Sequence, residues 1–164
     1  MTVAFAGHAR IPFCNSVKEA VKAQLRTVLQ NTEPLTCYLG GYGDFDMLCA
    51  CACRELKEES LDVETVYVTP YMSLSEQLKI KDLRTRGLYD TFLYPPLEST
   101  PPKFAIAKRN EWMMKQADLV IVYVCHSHGG AYTALRVAER KKKPIINIYE
   151  LLRSNGTPAV IPYK

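Results

Sequence analysis

The sequence predicts an α/β protein: a single Rossmann-like, three-layer domain with a mostly parallel sheet of five to six strands and helices on both faces. Short apolar runs alternate with amphipathic segments of helical length, and glycine-containing turns follow several of these runs. The length of 164 residues suits one domain. We expect this domain to cover residues 1–150, with residues 151–164 as a C-terminal tail that forms an edge strand or an oligomer contact.

The first half of the chain contains three predicted strands, each a short apolar or β-branched run, at residues 2–6, 35–39 and 63–68. A helix follows the first strand. It begins at Asn15 or Ser16, both of which can cap a helix, and its apolar residues recur at helical spacing to about residue 30. A second helix covers residues 45–59 and ends in a polar cluster.

The second half of the chain is less regular at its start. The pattern predicts a short helix near residues 73–80, an extended piece near 88–93 and a proline-rich loop. The remaining predicted elements are a helix at 104–116, a strand at 119–124, a helix at 130–142 and a strand at 144–148. In the tail, residues 155–156 form a turn signal, and the apolar residues 159–161 are the possible edge strand.

The charge of the chain is mildly basic, with 21 Lys and Arg against 17 Asp and Glu and a net charge of +4. This balance makes an anionic small molecule as plausible a partner as nucleic acid and does not decide between them, although the modest charge counts against nucleic-acid binding. The sequence has no signal-peptide pattern and no apolar run near the roughly 18 residues that a membrane span requires. We therefore expect a cytoplasmic protein without membrane contact.

Six cysteines are present, three of them alternating in the run CACAC at residues 49–53. Zinc sites commonly use CxxC pairs, and this run has no such pair. The cysteines are therefore predicted to be buried, reduced thiols that pack a helix. A three-histidine metal site at His8, His126 and His128 is conceivable because all three lie at predicted strand exits, but no carboxylate motif supports it. No metal and no cofactor are expected.

The ligand site is predicted at the carboxyl ends of the strands, where ligands bind in open parallel sheets. Three loops meet this edge, at residues 7–10, 40–46 and 125–133. The candidate binding residues from these loops are Gly7, His8, Arg10, Gly40, Gly41, Tyr42, Gly43, Asp46, His126, Ser127, His128, Gly129, Gly130 and Thr133.

The two glycine-rich loops differ in charge, and this difference predicts different roles. Asp44 and Asp46 follow the first loop and would repel a phosphate, so that loop should favour hydroxyl groups such as those of ribose. Helix capping is the alternative role for either carboxylate, and it suits Asp44 better. The second loop, around Gly129 and Gly130, has no nearby acid and suits a phosphate. A base would then lie against Tyr42 or Tyr71.

The predicted helix before the central strand carries Arg109 and Asn110. Asn110 shares a helical face with apolar residues, so its amide either holds a neighbouring loop or meets the ligand, and both roles stay open. Arg109 could reach a phosphate, with a solvated position on the helix surface as the alternative.

Three segments resemble the SLOG superfamily of Rossmann-like domains: AFAGHARIPF near the start, GGYGDFDML after the second strand, and RNEWMMKQADLVIVYVCHSHGGAYTALRVAERKKKPIINI. This superfamily includes the LOG cytokinin-activating phosphoribohydrolases and the DNA-processing DprA-like proteins. The chain is most similar to its small stand-alone bacterial and phage members. The resemblance implies recognition of a nucleotide or a nucleotide-derived signal at the three loops.

The resemblance also bears on catalysis, because LOG enzymes use a glutamate after the second glycine loop together with an upstream arginine. Arg109 matches the arginine, whereas Leu135 and Arg136 stand where the glutamate is expected. Cleavage of an N-glycosidic bond needs a carboxylate near the departing base. Binding is therefore favoured over catalysis, and hydrolysis of a nucleoside 5′-monophosphate remains the alternative, with Asp46 or Glu139 as a substitute acid.

The function expected from the resemblance is to sense or sequester a nucleotide-derived second messenger, such as an ADP-ribose or cyclic-nucleotide derivative. Such signals operate in antiphage defence and counter-defence. The resemblance also implies a homodimer or a higher homo-oligomer. Nucleic-acid binding, by analogy with the DNA-processing relatives, is the weakest of the three readings.

Overall fold

Six strands and six helices alternate along the chain in the computed structural model, which describes residues 1–12, 14–32 and 34–154. The elements are β1 (Thr2–Gly7), α1 (Asn15–Leu29), β2 (Leu35–Leu39), α2 (Asp44–Glu58), β3 (Val63–Val68), α3 (Leu74–Thr85), β4 (Thr91–Leu93), α4 (Pro102–Gln116), β5 (Leu119–Tyr123), α5 (Gly129–Arg140), β6 (Ile145–Asn147) and α6 (Ile148–Ser154). The predicted α/β class is confirmed.

The strands form one parallel sheet in the order β4-β3-β2-β1-β5-β6. The chain adds β2, β3 and β4 on one side of β1, and then crosses to the other side to add β5 and β6. The order therefore reverses between β1 and β5, where Gly7 pairs with Tyr123 at the carboxyl ends. This reversal is the point at which open α/β sheets bind their ligands.

Both faces of the sheet are covered, and alternate residues of β1 supply the two cores. Val3 and Phe5 belong to the core shared with α1, α2, α3 and α6. Ala4 and Ala6 belong to the core shared with α4 and α5. All five residues of β5 are buried, because a central parallel strand has a helix layer on each side. This burial explains the continuous apolar run from which β5 was predicted.

The cysteines behave largely as predicted. All six are free thiols, and Cys37, Cys49 and Cys53 are buried, whereas Cys51 is only partly buried. Burial raises the pKa of the Cys49 thiol, and a hydrogen bond donated to Cys53, together with burial, raises that of Cys37. These thiols are therefore protonated packing groups in the sheet–helix core.

Two elements depart from the sequence-based pattern. Helix α3 extends to Thr85 rather than ending near residue 80, and α6 begins at Ile148, where the last strand was expected to continue. Asn147 explains the second difference, since its Oδ1 accepts a hydrogen bond from the backbone N–H of Tyr149 and so satisfies the start of the helix. The predicted edge strand at residues 159–161 lies outside the described residues.

No helix in the described part of the chain is both long enough and apolar enough to cross a membrane.

Candidate functional site

A cleft of about 910 Å³ opens at the carboxyl ends of β1 and β5, at the reversal of strand order. This is the sheet edge that the sequence predicted for the ligand site. The predicted site residues that line the cleft are Gly7, His8, Arg10, Tyr42, Asp46, Arg109, Asn110, His126, His128, Gly129 and Gly130. The predicted residues that are not among its lining residues are Gly40, Gly41, Gly43, Tyr71, Ser127 and Thr133.

His8 joins the loop after β1 to the loop after β5. Its backbone N–H donates to the carbonyl oxygen of Tyr123 at 3.3 Å, and its Nε2 accepts from the backbone N–H of Cys125 at 3.2 Å. Burial, together with the charges of His126 and His128, lowers the pKa of His8 to about 4. The ring is therefore neutral at pH 7, with its proton on Nδ1 and its lone pair on Nε2.

The three histidines converge in the cleft. The ring of His126 stacks on that of His8 at a centroid distance of 3.5 Å, and the ring of His128 stacks on His126 at 3.9 Å. Possible ligand atoms of His8, Cys125 and His126 all lie within 4.8 Å of one another. These three side chains are the group in the described part of the chain that could hold a metal ion.

The first turn of α5 faces the same cleft. Gly129 has a φ of +84°, a left-handed conformation that favours glycine, and it follows His128, the N-cap residue. The first turn contains no acidic residue, and no side chain in the described residues caps it. A Cβ atom added at Gly129 or Gly130 would meet no atom within 4 Å. The backbone N–H groups at this helix start are thus accessible from the cleft.

Other atoms of the protein pack closely against the glycine loop after β2. A Cβ atom at Gly41 would lie 2.2 Å from the ring of Tyr67, and one at Gly43 would lie 2.7 Å from the Cα atom of Ala9. Gly41 and Gly43 also have φ values of +70° and +93°. These glycines permit close packing of the loop, and Gly41 and Gly43 are not among the residues that line the cleft.

Asp44 and Asp46 contact different loops, and the capping role expected for Asp44 is not observed, because its carboxylate accepts from outside α2. Asp44 Oδ2 accepts a hydrogen bond from the backbone N–H of Ile11 at 3.1 Å and so holds the loop after β1. Asp46 lines the cleft, and its Oδ2 accepts from the backbone N–H of Tyr42 at 3.2 Å. Burial raises the pKa of Asp46 to about 6, although the charge of Arg109 and the backbone N–H groups of the glycine loop oppose this rise.

Arg109 is buried, with 1% of its surface exposed, in contrast to the solvated alternative. Its Nη1 donates to the carbonyl oxygens of Gly40 at 2.7 Å and Val68 at 2.6 Å, which ties together the ends of β2 and β3. Its Nε has no hydrogen-bond partner among the described residues. The adjacent Asn110 is half-buried and also lines the cleft, so its amide is available to a ligand.

Tyr42 is the aromatic side chain at the mouth of the cleft, with 36% of its surface exposed. The Nζ atom of Lys79 lies 4.2 Å from the centre of its ring, and the guanidinium carbon of Arg109 lies 5.4 Å from it. Tyr71, the other candidate for a base, instead points its hydroxyl at the carbonyl oxygen of Pro102 at 3.4 Å. Thr133 donates to the carbonyl oxygen of Gly129 at 3.1 Å.

Sequence reasoning did not select seven lining residues: Phe5, Ala6, Ala9, Ile106, Cys125, Ala131 and Tyr149. Most are small or apolar and carry no chemical signal of their own. Tyr149 was missed because α6 was not predicted. Cys125 lay in a predicted site loop, and its position directly before His126 was the signal that could have identified it.

The two acids proposed for catalysis lie in different places. Asp46 is the only carboxylate among the described residues that line the cleft. Glu139 is exposed near the end of α5, where it forms an ion pair with Arg136, and it is not a lining residue.

Comparison with known proteins identifies the fold. No protein-family model matches the chain, and no curated protein matches it either. Among solved structures, DNA processing protein A from Helicobacter pylori superposes with a TM-score of 0.60 at 17% identity, over 96% of this chain and 73% of that protein. DprA from Streptococcus pneumoniae superposes with a TM-score of 0.63 at 15% identity, over 93% of this chain and 56% of that protein.

The chain has the Rossmann-like fold that it shares with these two DprA structures. The resemblance drawn from its three sequence segments is therefore confirmed at the level of the fold. The chain spans only about half of the S. pneumoniae DprA chain, so that the shared part is the Rossmann-like sheet and its helices.

One prediction about partners is wrong. The modest net charge was taken as an argument against nucleic acid, yet the H. pylori structure of the same fold is described by its single-stranded DNA binding mode. Net charge is a poor guide because phosphates respond to the groups at the binding surface rather than to the sum over the whole chain.

Proposed function

We propose that this DprA-like chain binds a nucleotide unit in the cleft between β1 and β5, with a phosphate at the start of α5. The observation that carries the proposal is the open first turn of α5, which presents backbone N–H groups to the cleft beside Gly129 and Gly130 and has no acidic residue. Such a helix start attracts a phosphate through its N–H groups and its dipole.

The buried guanidinium of Arg109 supports the same proposal from the other wall. This side chain lines the cleft, and its Nε lacks a partner among the described residues. A buried donor without a partner costs free energy until a ligand or a water molecule satisfies it. An anionic ligand would supply both an acceptor and a compensating charge.

The remaining groups suit the other parts of a nucleotide. Asp46 and Asn110 offer hydrogen-bonding groups to ribose hydroxyls, and Tyr42 offers an exposed aromatic ring to a base. The volume of about 910 Å³ lies in the upper part of the range found for small-molecule sites. ADP-ribose and cyclic dinucleotides are therefore suitable first candidates among free ligands.

Thermal shift tests the proposal, since a ligand that binds only the folded state raises the melting temperature. The screen compares AMP, ADP-ribose and cyclic dinucleotides with adenosine, which lacks the phosphate. Stabilisation by the phosphorylated compounds but not by adenosine supports a phosphate site. If none of them raises the melting temperature at millimolar concentration, the free-nucleotide form of the proposal fails.

The variant Gly130→Asp places a carboxylate in the second position of α5, where it competes for the N–H groups and repels phosphate. We expect nucleotide affinity to fall at least tenfold. Ser75→Asp is the matched control, because Ser75 is exposed and occupies the second position of α3, outside the cleft. Equal affinity in both variants would place the phosphate elsewhere.

Single-stranded nucleic acid is the second candidate, and the single-stranded DNA binding mode described for the H. pylori structure favours it. In this reading the cleft holds one nucleotide of a strand. Fluorescence anisotropy of a labelled thymidine oligonucleotide, measured at several salt concentrations, distinguishes the two ligands. A strand that contacts about three phosphates gives a log–log salt slope near −2, and thymidine monophosphate competes only weakly. Equal affinity for the monophosphate and the strand favours the free nucleotide.

Incubation of the protein with a nucleoside 5′-monophosphate tests the hydrolysis alternative. Asp46 keeps that alternative open, because it is buried against the cleft and its raised pKa suits a proton donor. Release of free base from a nucleoside 5′-monophosphate, lost in Asp46→Asn, would turn the proposal from binding to cleavage. Full recovery of intact nucleotide after hours would leave binding alone.

A further inference from the structure

The carboxyl ends of β1 and β5 bring a cysteine and two histidines together. Gly7 pairs with Tyr123 in adjacent parallel strands, so the chain leaves both strands at the same level. His8 follows the first strand directly, and Cys125 and His126 follow the second within three residues. Candidate ligand atoms of the three side chains lie within 4.8 Å of one another although His8 is more than a hundred residues away in sequence.

We propose that His8, Cys125 and His126 bind a divalent transition-metal ion, with Zn²⁺ as the first candidate. Two imidazoles and one thiolate are a donor set that zinc prefers, and three protein ligands leave its fourth tetrahedral position open. All three side chains line the cleft, from which solvent or a ligand oxygen would complete the coordination. The site does not require nucleotide binding, and it adds a possible electrophile to the cleft.

The Nε2 lone pair of His8 is unprotonated and faces the backbone of Cys125. Nε2 accepts the backbone N–H of Cys125 at 3.2 Å, a long hydrogen bond, so this nitrogen is the unprotonated one. A metal ion at Nε2 replaces that bond by coordination. The loss of one neutral hydrogen bond is small beside the free energy of zinc binding.

Coordination requires the stacked rings of His8 and His126, whose centroids lie 3.5 Å apart, to separate, because one ion cannot lie in the planes of two nearly parallel rings. The donor atoms of two histidines and one cysteine around a tetrahedral zinc ion lie about 3.3 to 3.5 Å apart, given Zn–N distances of about 2.0 Å and Zn–S distances of about 2.3 Å. The largest separation permitted here is 4.8 Å, so the side chains must close by about 1 Å. Cys125 is only partly buried, and rotation about its χ1 angle and that of His126 can supply this movement.

The test uses Co²⁺, which reports a thiolate ligand through a charge-transfer band in the near ultraviolet. The reference protein carries Cys14→Ser and Cys51→Ser, because these two are the other cysteines that are not fully buried. We expect this protein to bind one cobalt ion with a charge-transfer band, and Zn²⁺ to displace it. In the reference background, Cys125→Ser should abolish the band, and His126→Ala should weaken affinity at least tenfold, since even outer-shell losses commonly cost about that much.

Circular dichroism and the melting temperature of the metal-free variants establish that each one folds. A reference protein without the band overturns the proposal, as does a band of equal intensity in Cys125→Ser or unchanged affinity in His126→Ala. The titration contains no nucleotide, so its failure leaves the nucleotide proposal intact. Likewise, a failure of every nucleotide to bind leaves the metal proposal intact, because cobalt binding depends only on these three side chains.

Discussion

The guanidinium of Arg109 donates a hydrogen bond of 2.7 Å to the carbonyl oxygen of Gly40. The two residues are 69 positions apart in the sequence. The same nitrogen reaches the carbonyl oxygen of Val68 at 2.6 Å. One side chain of α4 thus fixes the ends of β2 and β3 beside the cleft. Because Arg109 also lines the cleft, the shape of the cleft wall and the stability of the fold both depend on this residue.

Replacement of Arg109 should therefore destabilise the fold. Arg109→Met leaves the carbonyl groups of Gly40 and Val68 without their donor and Asp46 without its nearby charge, so we expect a loss of about 3–5 kcal/mol in the free energy of unfolding. Urea denaturation measures this loss. Arg86→Met is the control, because Arg86 is exposed and its ion pair with Asp82 lies on the surface, so a change within about 0.5 kcal/mol is expected. Similar losses in both variants would contradict the structural role of Arg109.

Gly40 and Gly130 should respond in opposite ways to the same substitution. A Cβ atom at Gly40 would lie 2.6 Å from Nη1 of Arg109, and we expect Gly40→Ala to cost about 1–3 kcal/mol through overpacking. A Cβ atom at Gly130 meets nothing within 4 Å, so Gly130→Ala should be neutral or stabilising by up to about 1 kcal/mol. Thermal unfolding compares the two proteins. A stable Gly40→Ala variant would show that the guanidinium is not held tightly.

The raised pKa of Asp46 predicts a pH dependence of stability. The native state keeps this proton up to pH about 6, whereas the unfolded chain releases it near 3.8. Between these values the native state binds more protons, so the contribution of this group to stability is greatest in acid and is lost as the pH rises toward 6. The difference in unfolding free energy between the wild type and Asp46→Asn should fall on the order of 3 kcal/mol from pH 3 to pH 7.

Urea denaturation of both proteins across this pH range measures that difference, and titration of the other acids cancels between them. A constant difference would mean that Asp46 titrates normally. A difference that rises with pH would mean that the pKa of Asp46 is lowered instead. That result is expected if the charge of Arg109 affects this pKa more than burial does.

The ring of Tyr42 should contribute to ligand affinity through stacking. Its exposure at the cleft mouth leaves it accessible to a base, and loss of a base–aromatic contact typically costs about 1–3 kcal/mol. Tyr42→Leu should therefore weaken binding about 5- to 150-fold, measured by calorimetry with the nucleotide that gives the largest thermal shift. Tyr42→Phe keeps the ring and should bind within about threefold of the wild type. An equal loss in both variants would assign the effect to the hydroxyl group.

The sequence by itself determined the class of fold, most element positions and the sheet edge that carries the cleft. These properties follow from local patterns, since a buried parallel strand must be apolar on both faces and an amphipathic helix must repeat every three to four residues. The burial of β5 and the glycine start of α5 were predictable for this reason. Helix α6 was not, because Asn147, which satisfies its start, is held in place by hydrogen bonds with Val124 after β5.

The separate roles of the candidate residues depend on tertiary contacts. Gly40 and Gly129 look alike in sequence, yet a buried arginine from α4 packs against Gly40, whereas open space surrounds Gly129. His8 and Cys125 could be placed at the same sheet edge, but their contact depends on the pairing of β1 with β5. Contacts between residues so far apart in sequence depend on packing across the sheet, which a local pattern of residue types does not encode.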